Sequence, residues 1–324
     1  MKRLFLLIFV SFGFLNAQIS KAGQSGAKFL SLPYDVKSES MGDVGVSLSG
    51  TSPFVNPSIV STLNLKTIYG LAGFFWGINN FAISYVVPSK RGNLGFWASG
   101  VYVGGMEGYE LDPNGNINSI GNFSYLATQL GFTFSKFLTD KFSFGISPKI
   151  IYEGFGGFSN AYSLAIDVGT YYITGFRDLV IAASIRNFGF DMKPSGQYTR
   201  YLYEAGLVET TATYTSYRLP TIFSFGLSLS ILSSAYGKIL LAYQLNHPTD
   251  NLESHNIGLE YSLMNIIFIR TGYKLYVNSD EAVNGANGIN LGLGVNYGRI
   301  GLDYGFYNKG ILPPINQIAV HYKF

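Results

Sequence analysis

Apolar and polar residues alternate along most of this 324-residue chain. The pattern is clearest in the last eight residues, where Ile318, Val320, Tyr322 and Phe324 are apolar and smaller or polar residues lie between them. Successive side chains of a β-strand point to opposite faces, so this pattern predicts strands with one apolar face. About fourteen such segments, separated by turn residues, follow one another from residue 66 onwards.

The connections between the predicted strands alternate in length. If the N-terminus lies in the periplasm, the periplasmic turns are short and most outer connections are long, the longest covering residues 104–121 and 188–217. This asymmetry is typical of bacterial outer-membrane barrels. A soluble β-sandwich, the alternative all-β fold, gives no reason for it. The sequence therefore predicts an all-β fold, a transmembrane antiparallel β-barrel of about fourteen strands.

Composition supports contact with lipid. Charged residues make up 13% of the chain and hydrophobic residues 47%, whereas about 25% of a typical soluble domain is charged. After residue 17, Gly, Ser, Asn and Thr interrupt every apolar stretch before it reaches the roughly 20 residues of a membrane helix. A closed barrel in outer-membrane lipid is the remaining solution, because its backbone polar groups pair with one another. The net charge of +3, without a basic run, argues against nucleic acid as a partner.

Three segments follow from these patterns. Residues 1–17 combine two early basic residues with an apolar run and are predicted to be a cleaved signal peptide, since the run is too short to span a membrane. Residues 18–65 contain apolar side chains such as Phe29 and Leu32, unlike a disordered tail. They are predicted to form a plug inside the barrel, which takes up residues 66–324.

The plug segment carries short motifs. Its marked residues are Phe29, Leu30, Met41, Gly42, Asn56 and Pro57. Glycines in the Met41-Gly42-Asp43-Val44-Gly45-Val46 stretch suit tight turns, and Asn56-Pro57 suits a fixed bend. Over residues 27–58 the sequence resembles the PorV/PorQ family of outer-membrane proteins, which are relatives of the FadL-type fatty-acid transporters. Val55 and Ser58 depart from the family's usual aromatic residue and alanine.

The resemblance implies a non-enzymatic component of the type IX protein secretion system. Its partners would be the outer-membrane translocon or attachment-complex proteins and the C-terminal signal domains of secreted cargo. The alternative function is FadL-like transport of a hydrophobic small molecule through a lateral opening at a kinked strand, for which residues 94–105 contain enough glycine. A general diffusion pore is disfavoured because the plug should close the lumen.

The long outer connections hold the candidate partner-binding residues. These are Met106, Tyr109, Leu111, Tyr198, Tyr201 and Tyr203. Tyrosine-rich loops suit protein contact because the ring buries a large area at a small cost in entropy. The alternative is an extracellular lid with an aromatic belt at the membrane boundary.

Charged residues at inward positions predict a network in the lumen. Its members are Glu260, Arg270, Asp303, His321 and Lys323, and Lys66, Lys149, Asp167 and Arg186 also fall on apparent inward positions. Pairing of Leu263 with Ile267 across a three-residue turn would set Glu260 opposite Arg270. A network that stiffens the wall is the first interpretation, because an unpaired charge is costly there. A role in ligand transport, or in catalysis, is the alternative.

Enzyme chemistry has little support in the sequence. The chain has no cysteine, which excludes disulfides and thiolate zinc sites, and its three histidines have no metal-ligand spacing. No arrangement of Ser, His and an acid indicates a hydrolase. The sequence therefore predicts a protein that is not an enzyme and has no cofactor.

Overall fold

A closed antiparallel β-barrel forms the body of the protein. The structure, a computed structural model, describes residues 23–324 except 113–115, 157, 204–206, 235, 278–287 and 310–311, so the predicted signal peptide lies outside the described residues. The strands are β1 (Thr67–Phe75), β2 (Ile78–Val87), β3 (Asn93–Leu111), β4 (Ile117–Phe137), β5 (Phe142–Phe155), β6 (Ser159–Ile173), β7 (Val180–Gly189), β8 (Gln197–Tyr203), β9 (Leu207–Thr213), β10 (Ile222–Ser233), β11 (Gly237–Pro248), β12 (Ser254–Leu263), β13 (Ile267–Tyr276), β14 (Gly288–Tyr297), β15 (Ile300–Lys309) and β16 (Leu312–Lys323).

Fourteen of these strands make the wall. Each pairs with its neighbour in sequence, except that β7 pairs with β10 and β1 closes the barrel against β16. Strands β8 and β9 form a separate hairpin. The predicted barrel of about fourteen strands is therefore confirmed. We call the end with the short turns the inner end and the opposite end the outer end.

The outside of the wall is apolar. On β12 to β16 the residues that point away from the lumen are mostly Ile, Leu, Val and Tyr; Ile257 is 51% exposed and Leu293 is 56% exposed. Such a surface suits contact with lipid and would be unfavourable in water. Among the described residues, no helix has both the length and the apolar character needed to cross a membrane.

The segment before β1 lies inside the barrel as a plug. It contains a 3-10 helix at Lys28–Ser31, the helix α1 at Val36–Ser40 and a second 3-10 helix at Pro57–Thr62. Helix α1 contacts β13 to β16, and the second 3-10 helix contacts β3 to β6. The plug therefore crosses the lumen and touches opposite parts of the wall.

Two predicted outer loops are largely strand instead. Residues 104–121 continue β3 to Leu111 and begin β4 at Ile117, and residues 188–217 contain the β8–β9 hairpin. The alternation of apolar and polar residues is weaker in these extensions because a strand beyond the membrane does not need an apolar face. The β3–β4 pairing also shifts register twice, between Val103 and Met106 and between Gly108 and Tyr109, which disturbs the period further.

Candidate functional site

The plug is held together by a buried carboxylate. Asp35 precedes α1; its Oδ1 accepts a hydrogen bond from the Ser38 backbone N–H at 2.7 Å, and its Oδ2 accepts one from the Ser52 N–H at 2.7 Å. Burial raises the pKa of Asp35 above its ordinary range, although both hydrogen bonds act in the opposite direction. One side chain thus caps the helix and joins it to a distant turn.

A second anchor joins the plug to β6. Asn56 Oδ1 accepts hydrogen bonds from the backbone N–H and the hydroxyl of Ser58, and Asn56 Nδ2 donates to Val46 O at 2.8 Å and to Thr170 O at 3.2 Å. Pro57 starts the 3-10 helix that follows, where its missing N–H costs nothing. The Asn56-Pro57 motif is therefore where the plug turns against the wall.

Glycine allows the plug backbone to lie directly on β13. A Cβ atom at Gly272 would overlap the carbonyl group of Met41. Gly42 has a φ of +79°, and a Cβ there would lie 2.8 Å from the backbone N of Tyr273. Both Gly42 in the plug and Gly272 on β13 are therefore needed for the two backbones to lie this close together. The sequence predicts Gly42 as a turn residue, but its contact with the wall and that of Gly272 with the plug depend on the path of the plug.

The outer part of the plug packs on apolar wall residues. Phe29 and Leu30 are buried in a cluster with Val101, Ala127 and Met192. These wall positions come from β3, β4 and the segment after β7. The Phe29-Leu30 motif therefore supplies apolar packing, whereas Asn56 supplies polar anchoring.

The charged residues on β12, β13 and β15 form a connected network. The register pairs Leu263 with Ile267 and sets Glu260 opposite Arg270. Arg270 Nε lies 2.6 Å from Glu260 Oε2, and Arg270 Nη1 lies 2.5 Å from Asp303 Oδ1. His321 Nδ1 lies 3.6 Å from Asp303 Oδ2. One guanidinium thus bridges two buried carboxylates, and its removal would take the shared partner from both.

Ion pairs also connect the plug to the wall. Lys37 Nζ, on α1, lies 3.7 Å from Glu260 Oε1, and Asp43 Oδ2 lies 2.8 Å from Lys274 Nζ. Lys28, in the first 3-10 helix, pairs with Asp250 beyond β11. The plug is therefore attached by charges along its length as well as by packing.

An inner cavity of about 340 Å³ lies between the plug and the inner end. Its lining includes Lys37, Arg270, Asp303, His321 and Lys323. Four of the five predicted network residues thus line this cavity, and Glu260 lies behind them. Lys66 is exposed ahead of β1, and its Nζ lies 5.8 Å from the centre of the Phe324 ring.

An outer cavity of about 190 Å³ lies on the other side of the plug. Leu32, Phe54 and Trp97 give it an apolar part, while Lys149 and Arg186 are among its charged residues. Arg186 Nη1 donates to Phe54 O at 3.2 Å, and no described carboxylate lies within ion-pair distance of Arg186. The cavity therefore combines an apolar part with charged groups of both signs.

The wall beside the outer cavity is irregular in two places. Between β4 and β5 the pairing stops at Gly131–Lys149 and resumes at Phe134–Ile146, leaving Phe132 and Thr133 opposite Ser147 and Pro148. Pro148 has no N–H to donate, which weakens the ladder at this point. The pairing of β5 with β6 continues through Pro148.

A buried polar cluster lies next to this interruption. The β6–β7 register shifts between Ile166 and Val168, and Asn187 takes a φ of 61°. Lys149 Nζ lies 2.8 Å from Asp167 Oδ2 and 2.5 Å from Asn187 Oδ1, and the Asn187 N–H donates to Asp167 Oδ1 at 2.6 Å. The alternation identified Lys149 and Asp167 as inward residues, but Asn187 joins them only because the strand bulges.

The strand that was expected to kink is regularly paired. β3 pairs with β2 from Leu94 to Tyr102 and with β4 from Asn93 to Val103. Its irregularity falls at Gly104 and Gly105, level with the tight turn between β1 and β2. The predicted bend therefore occurs at the outer rim, above the part of β3 that is enclosed by two neighbours.

The predicted partner-binding residues lie on the two outer hairpins. Met106 and Tyr109 are on β3, Tyr198 is on β8, and Tyr109 and Tyr198 are 60% and 41% exposed. The Tyr198 ring packs at 5.2 Å on that of Tyr214. The backbones of Leu111, Tyr201 and Tyr203 lie in β3 and β8, and their side chains fall outside the described part of the structure.

Comparison with known proteins supports the architecture. No protein-family model matches the chain, and no curated protein matches its sequence. Among solved structures, it is similar to the toluene transporter TodX of Pseudomonas putida, with 15% identity, a TM-score of 0.61, and coverage of 90% of this chain and 97% of TodX. The toluene transporter TbuX of Ralstonia pickettii gives 12% identity, a TM-score of 0.59, and coverage of 90% and 98%.

A further match is the monoaromatic hydrocarbon channel CymD, with 12% identity, a TM-score of 0.61, and coverage of 90% of this chain and 97% of CymD. At such identities the likeness shows a shared fold. The protein shares the barrel fold of these channels and transporters. The apolar outside of the barrel and this architecture together indicate an outer-membrane protein.

Proposed function

We propose that the protein passes small molecules with an apolar body across the outer membrane. The observation that carries this proposal is the position of the outer cavity, which has an apolar part formed by Leu32, Phe54 and Trp97 and borders the interrupted β4–β5 ladder. The shared fold with hydrocarbon and toluene channels supports the same substrate class. The secretion role remains a second proposal.

The proposed route avoids the plug. A molecule enters the outer cavity from the outer end, rests on Leu32, Phe54 and Trp97, and leaves sideways into the bilayer between β4 and β5. At Phe132 and Pro148 the two strands lack ladder pairing, so separating them there breaks fewer backbone hydrogen bonds than elsewhere. The hydroxyls of Thr133 and Ser147, 2.5 Å apart, form the side-chain contact that must open with them. A lateral exit suits an apolar molecule because it never has to pass the plug and the charged residues Arg270, Asp303 and His321 of the inner cavity.

Restoring the missing hydrogen-bond donor tests this route. In the Pro148→Val variant a backbone N–H is available again, so the ladder should close and uptake of toluene by cells that express the protein should fall at least tenfold. Ile150→Val, two residues along on the same lipid-facing side, is the matched control and should leave uptake unchanged. Equal uptake by both variants, at equal amounts of folded barrel, would contradict the lateral route.

A second candidate function is a role in type IX secretion. The observation that favours it is that the two outer hairpins, β3–β4 and β8–β9, carry exposed tyrosine side chains such as Tyr109 and Tyr198. In this role the protein would bind the translocon or attachment-complex proteins and the C-terminal domains of cargo. The implied partners come from the resemblance over residues 27–58.

One purification separates the two functions. The protein is isolated gently from native outer membranes, and everything that remains bound is identified by mass spectrometry. A large translocon subunit, or secreted proteins that share a C-terminal domain, would support the secretion role. A lone barrel that releases an extractable apolar compound would support transport.

A further inference from the structure

The upper part of β3 has an open edge. The last pair between β2 and β3 joins Asn79 to Tyr102, because the chain turns back into β1 at Trp76 and Gly77. Strand β3 continues to Leu111 and pairs there with β4 alone. Among the described residues, nothing pairs with the other side of β3 beyond Tyr102.

The backbone groups along this edge have a defined direction. Asp112 donates its N–H to Asn116 O at 2.9 Å across the hairpin. Along an antiparallel strand, residues that bond to the partner alternate with residues whose N–H and C=O point away from it. The backbone N–H and C=O groups of Leu111, Tyr109 and Glu107 therefore point into the open edge.

The edge is straight enough to receive another strand. The extra residue at the upper register shift is Ile120, which belongs to β4, so β3 runs without interruption from Met106 to Leu111. These six residues could offer three donors and three acceptors to an added strand.

Among the described residues, proline, lysine and a covering segment are missing from this edge. Exposed edges are commonly blocked by proline, by lysine or by a covering segment. Residues 103–111 contain neither proline nor lysine. The outer edge of β4 is covered at its base, where Gly156 donates its N–H to Ser124 O at 2.7 Å and the Phe158 ring packs on Phe123 at 5.7 Å. Above this point the extra residue Ile120 interrupts the outer edge of β4, so the uninterrupted open edge of the hairpin is the one on β3.

The charge of the hairpin indicates the kind of partner. Residues 103–125 include Glu107, Glu110 and Asp112 and contain no lysine or arginine. An added strand rich in acidic residues would be repelled, whereas a basic strand would be attracted. Tyr109 adds an exposed ring beside the edge, which suits contact with an aliphatic or cationic side chain.

We propose that the open edge of β3, residues Met106–Leu111, receives an extended basic segment of a protein partner as an additional β-strand. Backbone hydrogen bonds supply the affinity, and the acidic residues of the hairpin select the basic sequence. This docking site is independent of the transport proposal. It also differs from binding by tyrosine side chains, because its essential groups belong to the backbone.

The test uses a designed peptide on the full-length barrel in detergent micelles. The probe is a nine-residue peptide of alternating Lys and Val, and hydrogen exchange is followed by mass spectrometry over residues 105–112. We expect exchange in this segment to slow at least tenfold at saturating peptide, while a Glu-Val peptide of the same length has no effect. Absence of protection, or protection elsewhere on the barrel only, would overturn the proposal.

Two variants separate the backbone from the side chain. Glu107→Pro removes one outward N–H, is compatible with β3–β4 pairing, and should abolish protection at Tyr109 and Leu111. Glu107→Ala keeps the N–H, so the protection at Tyr109 and Leu111 should be retained, with peptide binding at most a few-fold weaker. Equal binding by both variants would refute the strand addition.

A peptide control makes the outcome independent of how the proline variant folds. The Lys-Val peptide is N-methylated at every amide, which removes the donors of both of its edges and keeps its charge. If the peptide adds as a strand, the methylated peptide loses binding. Binding equal to that of the unmethylated peptide would show contact by charge alone and would overturn the proposal.

Discussion

The plug and the outer β3–β4 hairpin are stabilised in opposite ways. The plug has almost no regular backbone pairing with the wall and is held by side chains such as Asn56, by ion pairs such as Lys274–Asp43, and by the glycine contact at Gly272. The hairpin above Tyr102 is held by backbone pairing between its two strands, with two register shifts, and has exposed side chains. Single side chains should therefore matter much more in the plug.

The comparison also separates two tasks: the plug closes the lumen, whereas the hairpin offers groups that a partner can bind. Filling the lumen requires close packing against many wall residues, so every plug contact is surrounded by others. Projecting a hairpin beyond the membrane requires only backbone pairing, which leaves the side chains available to a partner. The following variants test this division, beginning with the largest expected effect.

Gly272→Val should displace the plug. The added side chain overlaps the Met41 carbonyl, so the backbone must move, and we expect a loss of more than about 3 kcal/mol in the free energy of unfolding. Ion conductance in planar bilayers should rise as the lumen opens. The control is Gly70→Val on β1, where an added Cβ meets no atom within 4 Å. If both variants keep the wild-type conductance, the plug does not depend on this contact.

Arg270→Gln should have the next largest effect. It leaves Glu260 and Asp303 facing one another without the guanidinium, and a loss of about 3 kcal/mol in unfolding free energy is expected. Guanidinium chloride unfolding in detergent measures it. Adding Glu260→Gln and Asp303→Asn to this variant should recover most of the loss. A triple variant as unstable as the single one would show that packing, and not charge, is responsible.

Asp35→Asn should have a smaller effect that depends on pH. Asparagine keeps one acceptor oxygen and loses the other, which costs about 1 kcal/mol. Because burial raises the folded-state pKa of Asp35, its protonated form favours folding most below the ordinary pKa of about 4, and this contribution is lost as pH rises through the raised value. The stability difference between wild type and variant should therefore shrink from pH 4 to pH 7. A difference that grows over this range would contradict the raised pKa.

Replacing the β8–β9 hairpin should change stability least. With residues 197–213 exchanged for a short Gly-Ser linker, the unfolding free energy should stay within about 0.5 kcal/mol of wild type, because the hairpin pairs with no barrel strand. The same variant should lose any partner captured through Tyr198 to Tyr203. A collapse of the barrel would show that the hairpin supports the wall, and retained capture would exclude these residues from recognition.

The sequence predicts the wall well because lipid imposes a strict pattern. Every strand within the membrane needs one apolar face, so alternation identifies the fourteen strands, and a short turn fixes Glu260 opposite Arg270. Above the membrane this constraint ends, and the extensions of β3 and β4 were predicted as loop. The contact of Lys149 with Asn187 depends on a bulge in β7, which alternation does not show.

The sequence predicts the plug only in part. Its apolar residues and turn motifs predict a folded segment, and Asn56 and Gly42 stand out as turn residues. Their partners on the wall could not be predicted, since each depends on where the plug crosses the lumen. The same is true of the inward glycines, which are conspicuous in the sequence but acquire a partner only in three dimensions.

The closure of the barrel between β1 and β16 constrains the order of assembly. The wall becomes a ring only when its first and last strands meet, and the plug directly precedes the first of them. A plug that entered an already closed barrel would have to exchange its hydrogen bonds with water for contacts with the wall inside a narrow lumen. It is simpler for the plug to settle on the open sheet and for the final pairing to enclose it. Biogenesis would then couple sealing of the wall to correct seating of the plug, so that a chain with a misplaced plug closes slowly and stays accessible to periplasmic proteases.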